Sequence, residues 1–309
     1  MSVDIVLATY NGDRFLDAQL QSILAQDYPH WHLLIRDDES CDLTPKIIQT
    51  YLQKEPQRLQ WIKSGESTNL GILRNFNHLL EHSSASYTFF CDQDDIWLPH
   101  KVTASLAEIG QLEAQWGKDL PMLVHSDLRV VSEQLELIHP SFWRSHHLDP
   151  TRDALRHLLI RNHITGCTIV INKALKELAL PLPDSAFMHD WWLGLVASAF
   201  GKIAHLKQPT ILYRQHQHNQ VGAQSQKLRY LVTRLQQPQK IREYYRKTPK
   251  QAQEFLNRYG AQLSEHDREM VSAYCGCEKL AFCAKRKLLI RYELFDVGLA
   301  RNLALLSLI

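Results

Sequence analysis

The first hundred residues alternate short apolar runs with segments of helical spacing, and polar residues follow each apolar run. Strand-like runs are predicted at residues 3–9, 31–36, 60–62 and 87–90. Between them, apolar residues recur at helical spacing, and one helix is predicted to begin at Thr44-Pro45, with the hydroxyl as N-cap. Repeated β-α units form a mainly parallel sheet flanked by helices, and such folds bind ligands beyond the carboxyl ends of the strands. The pattern therefore predicts an α/β protein with a site at that edge.

The fourth apolar run opens directly onto three acidic residues within four positions, Asp92, Asp94 and Asp95. Carboxylates this close repel one another, so their ionised forms are costly near a strand end unless a cation neutralises them. Oxygen ligands suit Mg²⁺ or Mn²⁺, which keep positions open for the phosphate oxygens of a substrate. A solvated acidic turn is the alternative interpretation of so short a pattern. The polar residues that follow the first two strands are expected at the same edge.

Several short motifs occur in the order typical of one enzyme family. They are Ala8–Gly12, Arg36–Thr44, Asp92–Trp97, Ser126-Asp127, Thr165–Thr168, His189–Trp192 and Tyr213–Asn219. Over roughly residues 2–224 the chain resembles the inverting family 2 glycosyltransferases, and the D-Q-D-D-I-W and H-D-W-W forms look most similar to the branch that contains bacterial rhamnosyltransferases. The resemblance implies a GT-A fold, which is Rossmann-like, with a mixed, mainly parallel sheet between helices.

The resemblance also implies a pyrimidine nucleotide diphosphate sugar as donor. Its binding residues are expected to be Thr9, Tyr10 and Asn11 near the base, Asp37 or Asp38 at the base or ribose, and Asn69 and Arg74 near the diphosphate. A carboxylate accepts the N3–H of uracil or thymine, which cytosine lacks, so an aspartate is chemically sensible there. The alternatives are an Asx-turn or helix cap for Asp37-Asp38 and an ordinary exposed position for Arg74.

The same resemblance assigns the residues of the reaction. Asp92 and Asp94 correspond to the D-x-D pair that holds Mn²⁺ or Mg²⁺ against the donor, and His216 to a third metal ligand or a phosphate contact. The ion stabilises the departing diphosphate. Asp190 corresponds to the general base, a role worth about 10²–10⁴ in rate. A helix cap is the alternative for Asp190, and a polar loop without a ligand is the alternative for His216 and its neighbour His218.

The C-terminal part differs in charge and pattern. Residues 225–309 contain 16 Lys and Arg against 8 Asp and Glu, and strand-like runs are missing from them. We therefore predict a catalytic domain over 1–224 and a helical appendage over 225–309. Its last segment carries an apolar stripe at helical spacing behind basic residues: Leu288, Tyr292, Phe295, Leu299, Leu303 and Leu306. That stripe suits contact with an anionic inner-membrane surface, with the catalytic domain or with a second subunit of a homo-oligomer.

The sequence thus predicts a metal-dependent, inverting glycosyltransferase of surface polysaccharide synthesis. The expected donor is dTDP-rhamnose and the acceptor a saccharide or a lipid-linked saccharide. A transferase that uses a UDP-hexose or a UDP-N-acetylhexosamine, a nucleotidyltransferase and a non-catalytic nucleotide-sugar scaffold are the alternatives. Dispersed basic residues without a recognition motif argue against nucleic acid as a partner. With no secretory leader and six irregularly spaced cysteines, the chain is expected in the cytoplasm or peripherally at the inner face of the membrane.

Overall fold

The structure of this chain, a computed structural model, describes residues 1–63, 68–216 and 238–308. Its strands are β1 Val3–Thr9, β2 Trp31–Asp37, β3 Leu59–Trp61, β4 Tyr87–Cys91, β5 Ile96–Trp97, β6 Met122–Ser126, β7 Arg129–Val131, β8 Leu137–His139, β9 Val170–Asn172, β10 Lys202–Leu206 and β11 Ile211–Arg214. Its helices are α1 Asp13–Leu24, α2 Thr44–Lys54, α3 Ile72–His82, α4 Lys101–Trp116, α5 Phe142–His146, α6 Leu155–Ile160, α7 Lys173–Ala179, α8 His189–Phe200, α9 Pro238–Tyr259, α10 Glu265–Cys275, α11 Phe282–Arg291 and α12 Leu299–Leu308.

Seven strands form the main sheet, in the order β10-β6-β9-β4-β1-β2-β3. All neighbouring pairs are parallel except those of β9, which runs antiparallel to both β4 and β6. Thr9 at the end of β1 pairs in register with Asp37 at the end of β2, and β4 ends beside β1 at Cys91. The prediction of a mixed, mainly parallel α/β sheet is confirmed, and it brings three polar strand ends to one edge.

Both faces of the sheet are covered, which explains why its central strands are apolar along their whole length. Alternate residues of a strand point to opposite faces. Val6 and Phe90 accordingly lie in one buried cluster with α3, α6 and α8, whereas Leu7 and Phe89 lie in a second cluster with α1 and α4. Each cluster fills one of the two helical layers.

A second sheet, in the order β5-β11-β7-β8, stands beside the acidic strand end. β11 pairs antiparallel with β5 and parallel with β7. Because β5 begins one residue after Asp95, this pairing carries the end of β11, and with it His216, to the acidic cluster.

The C-terminal helices pack against the first helical layer. Phe255 and Tyr259 of α9, Tyr274 of α10 and Leu305 of α12 are buried in the same cluster as α6 and α8. The predicted boundary at residue 224 lies outside the described residues. In the part of the chain that the structure describes, no helix combines the length and the apolar character needed to cross a bilayer.

Two local expectations were wrong. The apolar stripe near the C-terminus does not form one helix, because α11 ends at Arg291 and α12 begins only at Leu299, with Glu293 and Gly298 at positive φ between them. Thr44 is not an N-cap either, since the cap position of α2 is Leu43. The Thr44 hydroxyl instead accepts the Gly12 N–H at 2.8 Å, which ties α2 to the turn after β1.

Candidate active site

The turn after β1 is fastened to the loop after β4 by the side chain of Gln93. The Gln93 amide accepts the Tyr10 N–H at 2.8 Å and donates to the Tyr10 carbonyl at 2.9 Å. Gly12 leaves room for this contact, because a Cβ there would lie 2.3 Å from Gln93 Oε1. The Tyr10 side chain is left 49% exposed, so its ring is available to a ligand.

The turns after β1 and β2 are also joined, through Asn11 and Asp37. Asn11 has a φ of 47°, its side-chain carbonyl accepts the Cys41 N–H at 2.9 Å, and its own N–H donates to the Ser40 hydroxyl at 2.8 Å. Asp37 accepts the Thr9 hydroxyl at 2.8 Å and the Ser40 hydroxyl at 2.6 Å. The predicted base-binding residues therefore form one rigid group at the sheet edge, with Asp37 only half-buried.

Asp38, the neighbour of Asp37, is engaged by the protein itself. Its carboxylate is buried, lies 2.7 Å from Nη1 of the buried Arg36, and accepts the N–H groups of Leu70 and Gly71 at 2.8 Å each. Asn69 donates to the Asp38 carbonyl at 3.0 Å. Asp38 thus holds the entrance of α3 in place, and its oxygens already have partners.

Arg74 lies on the first turn of α3 at the protein surface. Its guanidinium makes a two-pronged contact with Asp184, at 2.7 and 2.8 Å, and 59% of the side chain is exposed. Exposed pairs of this kind contribute little to stability, because water screens the two charges. In this structure Arg74 binds the segment that leads to α8 instead of pointing toward the acidic strand end.

The acidic strand end and His216 meet directly. Nε2 of His216 lies 2.8 Å from Oδ2 of Asp94, and the imidazole packs on the Phe15 ring at a centroid distance of 4.8 Å. The predicted residues Asp94 and His216 are therefore brought together, whereas His218 and Asn219 lie outside the described residues. A carboxylate and an imidazole in contact are a donor set that manganese accepts.

Behind this pair, a largely buried cluster joins Asp92 to Asp95 and Cys167, neither of which was predicted as a metal ligand. Ligand-type atoms of Asp92, Asp95 and Cys167 lie within 4.8 Å of one another. Burial and the charges of Asp94 and Asp190 raise the pKa of Asp92 to about 7, while the Cys167 thiol acts in the opposite direction. Burial, followed by Asp94 and Asp92, likewise raises the pKa of Asp95. A divalent cation at this cluster offsets the repulsion, so the residues fit the predicted ion.

A buried ammonium group lies under the same cluster. Lys101 at the start of α4 is fully buried, donates to the Thr168 carbonyl at 3.3 Å, and lies over the Trp97 ring at 4.7 Å. Burial lowers the pKa of Lys101 to about 8, against the opposing influence of Cys167, Cys91 and Asp95. Lys101 is thus an internal counter-ion for the acidic loop.

Asp95 and the end of β11 complete the loop. Oδ1 of Asp95 accepts the Arg214 N–H at 3.2 Å, and the Arg214 guanidinium donates to the Asp94 carbonyl at 2.9 Å. Within the described residues, Oδ2 of Asp95 is buried without a hydrogen-bond partner. An orphaned carboxylate oxygen beside Asp92 is a further feature that a cation would satisfy.

Asp190 lies beside this cluster, in the first turn of α8. The 3₁₀ turn Gly166–Thr168 separates the two: Cys167 contributes to the acidic cluster, and a Cβ at Gly166 would lie 3.6 Å from Oδ2 of Asp190. Burial raises the pKa of Asp190 to about 7, opposed by hydrogen bonds from the Trp191 N–H, Asn162 and the Gly166 backbone. The N-cap position of α8 is Met188, and Asp190 accepts the neighbouring Trp191 N–H at 2.6 Å.

His189 is the first residue of α8 and precedes Asp190. Its ring is buried between Phe76 and Phe90, at centroid distances of 4.1 and 5.1 Å. Burial lowers its pKa to about 3, so the ring is neutral at physiological pH. His189 therefore packs next to Asp190 as an uncharged ring and adds no charge to the site.

The tryptophans beside the acidic loop and in α8 are core residues. Trp97, Trp191 and Trp192 are 2%, 4% and 0% exposed, and both indoles of α8 donate to backbone carbonyls within the core. These three rings are therefore not available to a sugar.

Sequence comparison matches the model of the family described as Glycosyl transferase family 2 to residues 4–179. Among curated proteins, dTDP-rhamnosyl transferase RfbG of Shigella flexneri is 28% identical over 229 residues, which cover 70% of this chain and 74% of RfbG.

Solved structures resemble the whole chain. Residues 1–349 of S. aureus TarS in complex with UDP-GlcNAc superpose with a TM-score of 0.60 at 17% identity, over 94% of this chain and 80% of that one. The mannosyltransferase PcManGT of Pyrobaculum calidifontis, in complex with GDP-Man and Mn²⁺, gives a TM-score of 0.59 at 16% identity, over 99% and 78%. At these identities the likeness concerns the fold alone, and it confirms the predicted GT-A fold.

Proposed function

The chain belongs to glycosyl transferase family 2, and from this membership and the geometry of the cleft we propose an inverting, metal-dependent transfer of a sugar from a pyrimidine nucleotide diphosphate. The acceptor is a saccharide or a lipid-linked saccharide of a surface polysaccharide. One observation carries the proposal: the half-buried Asp92, two residues before the contact pair Asp94–His216, lies beside Cys167 of the turn Gly166–Thr168, and the buried Asp190 lies against Gly166 of the same turn.

The donor base is bound by the rigid group at the ends of β1 and β2. Asp37 accepts the base N3–H, since Asp38 is already bound to Arg36 and to two backbone N–H groups. The exposed Tyr10 ring covers the base, and Asn11 keeps the turn in shape. Asn69 and Arg74 flank the diphosphate end, where Arg74 exchanges its surface partner Asp184 for a phosphate oxygen.

Asp92, Asp94 and His216 hold Mn²⁺ or Mg²⁺ at the diphosphate. When bound, the ion supplies charge stabilisation for the leaving nucleoside diphosphate. Asp190 takes the proton of the acceptor hydroxyl as the acceptor oxygen forms its bond to the anomeric carbon and the bond to the diphosphate breaks. A single displacement inverts the anomeric configuration, in contrast to the two carboxylates of a retaining glycosidase.

The name of RfbG supports dTDP-rhamnose as the donor, so the sugar transferred in this proposal is L-rhamnose. The complex of TarS with UDP-GlcNAc supports the second candidate, a UDP-hexose or UDP-N-acetylhexosamine. Both donors present the same base edge to Asp37, because uracil and thymine share the N3–H. The sugar pocket therefore distinguishes the two candidates.

Release of nucleoside diphosphate from a panel of nucleotide sugars tests the proposal. The protein is incubated with each donor, Mn²⁺ and a mixture of saccharide acceptors, and the Asp190→Asn variant is assayed in parallel. We expect release with dTDP-rhamnose, dependent on the metal and on Asp190. Release with a UDP sugar alone would replace the donor assignment, and binding of donors without release would favour a scaffold.

Contact with an anionic membrane surface is proposed for the C-terminal helices. Phe282, Ile290 and Leu299 are 65%, 61% and 78% exposed, and the basic Lys287 and Arg291 are exposed on α11. Apolar side chains flanked by cations suit the boundary of an anionic bilayer. Co-sedimentation with phosphatidylglycerol vesicles should be lost in a Phe282→Ser and Ile290→Ser double variant. A concentration-dependent dimer in the absence of vesicles would assign the surface to a second copy instead.

A further inference from the structure

The segment that leads to Asp190 is held by α9, a helix beyond the part of the chain that the family model covers. That segment runs from the end of α7 to Phe187. At its start, the Tyr259 hydroxyl donates to the Leu178 carbonyl at 2.8 Å, and the Arg258 guanidinium donates to the carbonyls of Leu180 and Pro181. At its end, the Phe187 N–H donates to Oε1 of Gln251 at 2.8 Å. One helix thus fixes both ends of the segment.

α9 also touches the residue that follows Asp190. The Tyr244 ring stacks on the Trp191 ring at a centroid distance of 5.8 Å and an angle of 23°, and Phe187 packs on the same indole at 5.0 Å. The indole N–H of Trp191 donates to the Leu158 carbonyl at 2.6 Å. Asp190 therefore lies between two residues, Phe187 and Trp191, that both contact α9.

We propose that α9 positions the general base, and that Gln251 is the positioning residue. Gln251 is 2% exposed, and its side chain bonds to the backbone three residues before Asp190. Asp190 accepts the N–H of Trp191, the next residue of its own helix, at 2.6 Å, so the direction of its carboxylate depends on the path of the backbone into α8. Misplacement of a reacting group by about 1 Å costs roughly 10²-fold in rate. This inference rests on the proposed role of Asp190.

The same helix supplies a matched control. Gln253 is exposed, and its amide bonds only along the helix, to Asn257 at 2.8 Å. Gln251→Met removes the acceptor for the Phe187 N–H and keeps the length of the side chain. Gln253→Met makes the same chemical change on the outer face of α9.

The experiment measures sugar transfer in the full-length protein, with calorimetric binding of the donor nucleoside diphosphate and Mn²⁺ beside it. We expect Gln251→Met to lower kcat about 10–100-fold with nucleotide affinity unchanged, and Gln253→Met to change neither. In the Asp190→Asn background, Gln251→Met should have no further effect, because the group it positions is gone. Should Gln251→Met fail to fold, Tyr244→Leu, which removes the stack on Trp191, takes its place in the same assays.

Three results would overturn the inference: equal kcat for the two Met variants, a parallel loss of nucleotide affinity, or losses that multiply with Asp190→Asn. The first denies the effect, and the other two indicate general damage to the fold. A fully active Asp190→Asn variant would instead refute the proposed base, whatever Gln251→Met does.

Discussion

Nε2 of His216 lies 2.8 Å from Oδ2 of Asp94, although 122 residues separate the two in the chain. The contact exists because β11 pairs with the short strand β5 that follows the acidic loop. Both side chains are largely buried, at 7% and 16% exposure, so the pair is shielded from competing water.

Removal of His216 should weaken the metal more than the nucleotide. Loss of one metal-site partner typically costs about 10–100-fold in metal affinity, so His216→Asn should raise the Mn²⁺ concentration for half-maximal transfer by that factor. His218→Asn is the control, two positions along the chain. Chelation should abolish transfer in the native protein, and Mn²⁺ should restore it. An unchanged Mn²⁺ requirement in His216→Asn would remove this histidine from the ligand set.

The rate of transfer should rise with pH through about 7. Burial raises the pKa of Asp190 to about 7, and only its ionised form accepts a proton, so kcat should fall roughly tenfold per pH unit below that value. Bound metal lowers the pKa of Asp92, which leaves Asp190 as the group observed. Asp190→Asn should lose about 10²–10⁴ in kcat and lose the acid limb. Asp184→Asn, an exposed carboxylate of the same segment, should leave the limb in place.

Substitution of Asp37 should mainly lower nucleotide affinity, whereas substitution of Asp38 should mainly lower the free energy of unfolding. Asp38→Ala removes the buried partner of Arg36, a change that costs about 3–5 kcal/mol in the free energy of unfolding. Asp37→Ala removes hydrogen bonds at a half-buried position and should cost about 1 kcal/mol, with a tenfold or greater loss of nucleotide affinity. Urea unfolding and calorimetric titration measure the two quantities. Nucleotide affinity that follows Asp38 alone would reverse the assignment.

Lys101 and Asp95 should be coupled in stability. Lys101→Met removes the buried ammonium beneath the acidic loop, so it should lower the free energy of unfolding by several kcal/mol. Asp95→Asn in the same chain removes a buried carboxyl that the lysine faces, and the double variant should recover about 0.5–3 kcal/mol of that loss. Additive losses in the double-mutant cycle, measured by urea unfolding with chelator present, would show that the two groups do not interact.

The buried histidines should lose their contribution to stability as pH falls from 6.5 to about 4. Burial lowers the pKa of His125 well below its usual value, lowers those of His157 and His163 to about 4, and lowers that of His189 to about 3. Below pH 6.5 these side chains take up protons in the unfolded chain but not in the folded one, so their contribution to the free energy of unfolding falls as pH falls.

The raised pKa values of the Asp92, Asp95 and Asp190 carboxyls act in the opposite direction over the same pH range, so the difference between variants is the quantity to measure. His125→Phe should reduce the loss of stability on acidification in urea unfolding, whereas His30→Gln, at an exposed position, should not. An equal pH dependence of the free energy of unfolding in the native protein and in His125→Phe would contradict the expectation.

Local pattern was sufficient to predict the sheet and the edge at which the candidate site lies. The runs that became β1, β2 and β4 are apolar throughout because both faces of the sheet are covered, and a polar residue at each strand end follows from the same geometry. Asp95 and Cys167 stood inside the recognised motifs, but nothing in their spacing showed that they face each other. No sequence pattern marked Gln251 as a positioning residue, because a buried glutamine on a polar helix cannot be told from an exposed one in the sequence.

The sequence by itself determined the fold class, the edge of the sheet where polar groups gather, and the family, because each depends on periodicity and on residue types within a short stretch. Only the tertiary structure paired Asp38 with Arg36, paired Arg74 with Asp184, and brought α9 against the segment before Asp190. Those outcomes depend on which distant side chains compete for one carboxylate or one N–H group. Packing in three dimensions settles this competition, and the spacing of residues along the chain does not show which distant groups will meet.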